Sequence, residues 1–216
     1  MIEMWHLITN NAKRMIFLLA SCKIFSSDYN DVYERRKVME PKILYTAKEI
    51  AEHVSSLAKL IDEWYSPVGV CTQERPLLAI AILKGAVIFA ADLVREMKTP
   101  LDIDFIRASS YGNATHTSGT VTIQHSSSIS MERRHVLLIE DIVDSGWTIN
   151  KLREYCLRNG ASSVKVAALI DKPERREADV VVDFPGLPAP NRFLYGYGMD
   201  AAERYRNLPD IWMAEG

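Results

Sequence analysis

The chain has 216 residues, of which 48% are hydrophobic and 25% charged, with a formal net charge of −2 and five histidines. That length suits one ordinary domain with a substantial buried core. The near-neutral charge offers neither a basic face for nucleic acid nor an acidic tail, so the expected partners are small molecules and copies of the chain itself. Three cysteines, Cys22, Cys71 and Cys156, lie far apart and form no C-x-x-C, which argues against a disulfide framework or zinc knuckle and for a reducing, cytoplasmic compartment.

Residues 1–38 differ from the rest. Lys13 and Arg14 precede a short apolar run ending at Cys22, which superficially resembles a signal peptide. The run from Met15 to Ala20 is shorter than the roughly 7–15 residues of a secretory h-region and far below the roughly 20 of a membrane span. No export or membrane association is expected. Ser26 to Lys37 reads as a polar linker, and Met39 makes a natural beginning. The expected organisation is an N-terminal extension, 1–38, outside the core, and one domain, 39–216.

From Thr46 the pattern is regular. Thr46 is a candidate N-cap with Glu49 three positions on, and Ile50, Val54, Leu57, Ile61 and Trp64 recur at helical spacing. "PLLAIAIL" reads as a buried strand, Lys84-Gly85 as a tight turn, and "AVIFAADLVREM" as a helix. "DIDFIRAS" and "TVTIQH" predict an antiparallel pair joined by the polar loop "SSYGNATHTSG", a candidate flap. "VLLI" and "VKVAALI" flank a helix expected from about Thr148 to Asn159-Gly160, where glycine suits a left-handed C-terminal position. Continuously apolar strands separated by helices imply a mostly parallel sheet covered on both faces.

The stretch "VLLIEDIVDSGWTI" then asks why the most apolar strand ends in Glu140, Asp141 and Asp144. Ligands of open α/β sheets bind beyond the carboxyl ends of strands, where loops feed helix N-termini. The loop "DSGWT" offers the Ser145 and Thr148 hydroxyls and a run of backbone N–H groups at a helix start, an arrangement that holds phosphate. Carboxylates beside a phosphate repel it unless magnesium or hydroxyl groups intervene, so Mg2+ and ribose hydroxyls are the natural partners of the acids. A strand-end acid pair alone would read as capping or a solvated edge; the adjacent phosphate loop reverses that reading. Neither G-x-x-x-x-G-K-[ST] nor a strand-following G-x-G-x-x-G is present.

This segment resembles the phosphoribosyl diphosphate motif of the type I phosphoribosyltransferases. "LKG" at Leu83, "SSYG" at Ser109, "LIDKPERR" at Leu169, "RFLYGYGMD" and "RYRNLP" resemble the hypoxanthine-guanine branch, from about Pro41 to Trp212. The resemblance implies that fold: α/β, a mostly parallel twisted sheet flanked by helices, with a small hood and a flexible β-hairpin loop. It implies transfer of a phosphoribosyl group from phosphoribosyl diphosphate to hypoxanthine or guanine, in a homodimer or homotetramer that uses Mg2+ and binds neither nucleic acid nor membrane.

By the same resemblance, Asp144 is the general base near purine N7. Glu140 and Asp141 hold the ribose hydroxyls directly or through magnesium, and Ser145, Gly146, Trp147 and Thr148 hold the 5-phosphate. Lys84 and Gly85 turn their backbone toward pyrophosphate, and Arg206 adds positive charge there. Lys172 donates to the purine 6-oxygen, Phe193 stacks on the base, the Leu194 backbone reads its edge, and Asp200 binds a second magnesium. Ser110 and Tyr111 belong to the closing flap. Departures from the family pattern are bulky Trp147, Ala201 in place of an aromatic residue, and the prolines 185, 188 and 190 before the base pocket. Two other functions fit the fold: transfer to another oxo-base such as xanthine, and a non-catalytic RNA-binding sensor, which would want a basic face and would not need Asp144 with Lys172.

Overall fold

The computed structural model describes residues 42–67, 70–110 and 121–214, with the side chains of Ser109, Ser110, Val121 and His125 excepted. The extension 1–38 and Tyr111 lie outside the described residues. The element order is β1 (Lys42–Tyr45), α1 (Ala47–Tyr65), β2 (Leu77–Leu83), α2 (Val87–Glu96), β3 (Leu101–Ser110), β4 (Val121–His125), β5 (His135–Val143), α3 (Trp147–Arg158), β6 (Ser163–Asp171), β7 (Leu187–Pro188), β8 (Leu194–Tyr195) and β9 (Ile211–Met213).

The main sheet has the order β4-β3-β2-β5-β6-β7. All its neighbours are parallel except β3 and β4, which form the expected antiparallel excursion. Alternate residues of each central strand feed two cores. Leu77, Ala79 and Ala81 of β2 and Leu137 and Ile139 of β5 join α1 and α2 on one face. Leu78, Ile80, Val136 and Leu138 join Ile149, Leu152 and Cys156 of α3 on the other. Both faces are covered, which is why these strands carry no polar alternation.

α1 begins as its cap predicts: Glu49 N donates to Thr46 Oγ1 at 3.3 Å and Thr46 N donates to Glu49 Oε2 at 2.8 Å. Its buried stripe is Ile50, Val54, Leu57, Ala58, Ile61 and Tyr65. Trp64 departs from expectation, being 55% exposed at the edge of the stripe. Its ring meets Phe184 edge-on and lies 4.4 Å below the Lys165 ammonium, so tertiary partners supply the packing that helical spacing had assigned to the core. Gly160, with φ of 86°, ends the α3 region in the left-handed conformation.

A second sheet, β1-β9-β8, is antiparallel and forms the hood. The proline-bearing segment joins the main sheet as the short edge strand β7, where a missing N–H costs least. The Tyr45 hydroxyl donates to Pro188 O, tying hood to edge. At the root of the β3/β4 hairpin, Asp104 accepts from Ser127 Oγ at 2.6 Å and from the N–H groups of Ser128 and Ile129 at 2.7 and 3.0 Å. Among the described residues no helix is long and apolar enough to cross a membrane, and Cys71 and Cys156 are free thiols.

Candidate active site

Where β2 hands the chain towards β3 and its other neighbour, β5, continues towards β6, the connections diverge and leave a crevice at the carboxyl ends of the two strands. From one side enters Lys84-Gly85, following a cis Leu83–Lys84 peptide. From the other enters the acid-rich end of β5. The approach is close: a Cβ on Gly85 would sit 1.8 Å from Asp141 Oδ2, so any larger residue there would have to displace the Asp141 carboxylate. A third segment completes the wall, because a Cβ on Gly198 would lie 2.2 Å from Gly85 O.

Glu140 is 7% exposed. Burial, reinforced by the neighbouring Asp141 carboxylate, pushes its pKa well above the ordinary carboxyl range. Beyond β5 the chain turns through Asp144 and Ser145 to Gly146, whose φ of 86° caps α3. Trp147 and Thr148 form the first turn of that helix. The turn is braced from behind: Ser145 O accepts from Glu177 N and Ala178 N at 3.0 and 2.9 Å. Arg176 donates to Asp144 O at 3.2 Å and pairs with Asp171. Trp147 donates through Nε1 to Glu177 Oε2 at 3.0 Å and packs against the α3-side core.

Asp144 and Lys172 belong to one electrostatic group. Lys172, just past β6, is 7% exposed and donates from Nζ to Arg192 O at 2.8 Å. Burial pushes its pKa down, with Asp144 opposing and Arg175 reinforcing that shift. Arg175 Nε stands 2.6 Å from Asp144 Oδ1, and its Nη1 donates to Asn191 Oδ1 at 2.7 Å. Arg192 leads directly to Phe193, whose ring is 56% exposed, and to Leu194, which is buried in β8. A basic group, a carboxylate and a free aromatic face thus border one opening.

Lys84 Nζ lies 2.9 Å from Glu203 Oε2, and the same oxygen lies 3.4 Å from Arg206 Nη2. Arg206 also pairs with Asp200 Oδ1 at 2.8 Å and donates to Gly198 O at 2.8 Å. Asp200 Oδ2 accepts from Glu203 N at 2.8 Å. Glu140, Asp141 and Asp200 do not form one metal cluster: among the described residues no three acidic, histidine or cysteine side chains gather to hold an ion. Ser110 closes β3, and the flap beyond it from Tyr111 is outside the described residues.

Arg175, Arg176, Glu177 and Glu203 were not singled out from the sequence. The paired arginines after "DKPE" were a visible signal, two adjacent cations in a motif already rich in charge. Glu203 carried none, since only the fold brings it to Lys84.

The phosphoribosyl transferase domain family matches this chain over residues 42–201. The hypoxanthine-guanine phosphoribosyltransferase of Bacillus subtilis is 45% identical over 171 residues, covering 79% of this chain and 91% of that protein. The structure is similar to a hypoxanthine phosphoribosyltransferase from Trypanosoma cruzi in complex with the product IMP, with a TM-score of 0.75 and 36% identity, covering 83% of this chain and 96% of that one. It is also similar to a Bacillus anthracis hypoxanthine-guanine phosphoribosyltransferase with HEPES in its active site, with a TM-score of 0.74 and 38% identity, covering 81% and 98%.

Proposed function

The chain belongs to the phosphoribosyl transferase domain family, and from that premise we propose that it transfers the 5-phosphoribosyl group of phosphoribosyl diphosphate to hypoxanthine or guanine. The products are IMP or GMP and pyrophosphate, a purine salvage reaction. The observation that carries the reading is the meeting of Asp141 with Gly85 at the sheet's crevice, which sets a ribose-binding acid pair against a diphosphate-binding turn.

In this reading the bond between ribose C1 and the diphosphate oxygen breaks as the purine nitrogen approaches, leaving cationic character on the sugar. Lys84, Gly85 and Arg206 receive the departing pyrophosphate. Ser145, Gly146, Trp147 and Thr148 hold the 5-phosphate at the start of α3, where the N–H groups of the first turn have no partner within the helix. Glu140 and Asp141 take the ribose hydroxyls. Asp144 accepts the purine N7 proton, so Arg175 must share or release its carboxylate when the base enters. Lys172 donates to the 6-oxygen, Phe193 covers the ring and the Leu194 backbone meets its edge.

Magnesium suits the donor set. Glu140 and Asp141 are adjacent hard oxygen donors, and the repulsion between them is what a divalent cation relieves; magnesium commonly takes one or two carboxylates and completes its shell with water and phosphate oxygens. When bound, it offsets diphosphate charge. Asp200 is the candidate for a second ion and would exchange its pairing with Arg206 to take one. The free thiols support a cytoplasmic location. Ile103 and Phe105, alternating on one face of β3 and both exposed, support a homodimer or homotetramer.

Turnover with magnesium, phosphoribosyl diphosphate and, separately, hypoxanthine, guanine, xanthine and adenine tests the reading. Hypoxanthine and guanine should be consumed; a protein active on xanthine alone, or on none, refutes it. The RNA-sensing alternative has no support in the charge, and the Asp144 and Lys172 pairing has no use in it.

A further inference from the structure

We propose that Glu203 is a positioning residue that competes with pyrophosphate for the cations of its own site, so that it helps the leaving group to depart after transfer. The inference rests on the assignment of Lys84 and Arg206 to pyrophosphate.

One carboxylate oxygen, Glu203 Oε2, reaches both cations, at 2.9 Å from Lys84 Nζ and 3.4 Å from Arg206 Nη2. In this proposal a pyrophosphate seated on the Lys84-Gly85 backbone beside Arg206 also draws on the Lys84 ammonium, so the two anions compete for the same cations. Glu203 is delivered by a tight turn rather than by chance of a long loop. Ala202, Glu203 and Tyr205 have φ of 52°, 64° and 71°, and Ala201 and Arg204 exchange backbone hydrogen bonds at 3.0 and 3.1 Å. The Glu203 N–H is fixed to Asp200 Oδ2. Left-handed backbone at three non-glycine residues in one short segment is uncommon and marks a shape held by its surroundings.

The two partners of the carboxylate differ in freedom. Arg206 is also held by Gly198 O at 2.8 Å, a backbone contact independent of Glu203. Glu203 is 66% exposed along its side chain and can swing into water. An exposed ion pair of this kind is weak. It would yield to a polyanion carrying several charges, yet return as that polyanion loosens, which lowers affinity for pyrophosphate without blocking entry of phosphoribosyl diphosphate.

The test compares the full chain with Glu203→Gln, Lys84→Gln and Arg206→Gln, measuring inhibition by inorganic pyrophosphate, binding of IMP, KM for phosphoribosyl diphosphate, and kcat. Glu203→Gln should tighten pyrophosphate about three- to fivefold, the range that loss of one exposed charge supplies, and leave IMP binding unchanged. The gain should shrink as salt rises from 0.05 to about 1 M, because the competition is electrostatic. Lys84→Gln should weaken pyrophosphate. If Lys84→Gln weakens it and Glu203→Gln leaves it unchanged or weaker, the competitor role is overturned while the site assignment stands. If Lys84→Gln has no effect on pyrophosphate, the Lys84 ammonium takes no part in holding it and the proposal fails, whereas loss of pyrophosphate inhibition in Arg206→Gln tests the site assignment separately. A Glu203→Gln gain that ignores salt, or that IMP shares, signals a change of loop shape and overturns the proposal too.

Discussion

Arg175 Nε stands 2.6 Å from Asp144 Oδ1, so the carboxylate assigned to proton transfer is already held by a guanidinium that also grips Asn191. The contact is a close ion pair without hydrogen-bond geometry at Asp144 Oδ1, and both side chains are partly exposed, so the carboxylate can exchange partners when a base enters. A proton acceptor contributes by position as well as by basicity.

Replacing Asp144 by Asn keeps the shape and removes the acceptor. Turnover should fall by roughly 10²–10⁴ with modest change in substrate binding. The double change Glu140→Gln with Asp141→Asn should instead raise the concentration of phosphoribosyl diphosphate required. Steady-state kinetics with both substrates varied will separate the two; equal effects on both parameters in both variants would contradict the division of roles.

If Lys172 donates to the purine 6-oxygen as proposed, it sets the choice between oxo and amino purines. Its ammonium meets an acceptor in hypoxanthine and guanine and a donor in adenine. An unmatched buried polar group costs on the order of 1–3 kcal/mol, so adenine should be at least tenfold to a hundredfold poorer. Lys172→Gln should lose hypoxanthine activity and narrow the gap to adenine. Competition kinetics with the two bases reads the ratio directly, and an unchanged ratio in the variant would move specificity to the backbone near Leu194.

The two glycines of the crevice should fail differently. Gly198 has φ of 99° and faces Gly85 O, so Gly198→Ala meets rigid backbone in a disfavoured conformation and should cost about 2–4 kcal/mol in a urea titration. Gly85→Ala meets the Asp141 side chain, which can turn aside. That variant should keep most of its stability and show a raised KM for phosphoribosyl diphosphate.

Asp104 gives the fold an acid-sensitive joint. Partial burial pushes its carboxyl up, but hydrogen bonds from Ser127 and from the N–H groups of Phe105, Ile129 and Ser128 outweigh that and hold it at about 2, against an ordinary 3.8. A carboxyl depressed on folding stabilises the protein above its unfolded value and loses that contribution as pH falls towards its folded one. Asp104→Asn should therefore lower the thermal midpoint by a few degrees at pH 7, and the difference should close between about pH 4 and pH 2. A gap independent of pH would show that the carboxylate charge is not what anchors the hairpin.

A shortened chain beginning at Met39 should fold and turn over like the full chain, because the sequence of the extension carries no core patterning and runs through the polar stretch from Ser26 to Lys37. One beginning at Thr46 removes β1, strips one of the two partners from β9 and uncovers Ile211, and should melt lower. Circular dichroism melts of the three chains decide the matter; loss of folding in the Met39 chain would place residues 1–38 inside the domain.

Much of this molecule was legible where the causes are local. The cap of α1 is set by Thr46 and Glu49, three residues apart, and the phosphate loop by a run of adjacent small residues before α3. Strands β2, β5 and β6 announced themselves because both faces are buried. The hood was implied only by family resemblance. β8 and β9 are two and three residues long, too short to show a period, and β1 pairs with a strand at the other end of the domain. The same reason hid Glu203, which is 119 residues from Lys84, and the partners of Trp64. Sequence pattern reports which face of an element is apolar; it does not report which distant polar group will arrive there.

The pairing of Lys42 with Met213 and Ile43 with Trp212 has a kinetic consequence. It closes nearly the longest loop available to the domain, so its entropy of closure is met only after the main sheet has formed, and β1, β8 and β9 should be the last strands to assemble and the first to open. Amide hydrogens there should exchange faster than those of β2 and β5. Leu194 lies in this late-forming sheet, whereas the loop at Asp144 to Thr148 hangs from the most protected strand. The loop from Asp144 to Thr148 should therefore be rigid before the segment around Leu194, and if that segment meets the base as proposed, its softness would let purines of slightly different outline be accommodated.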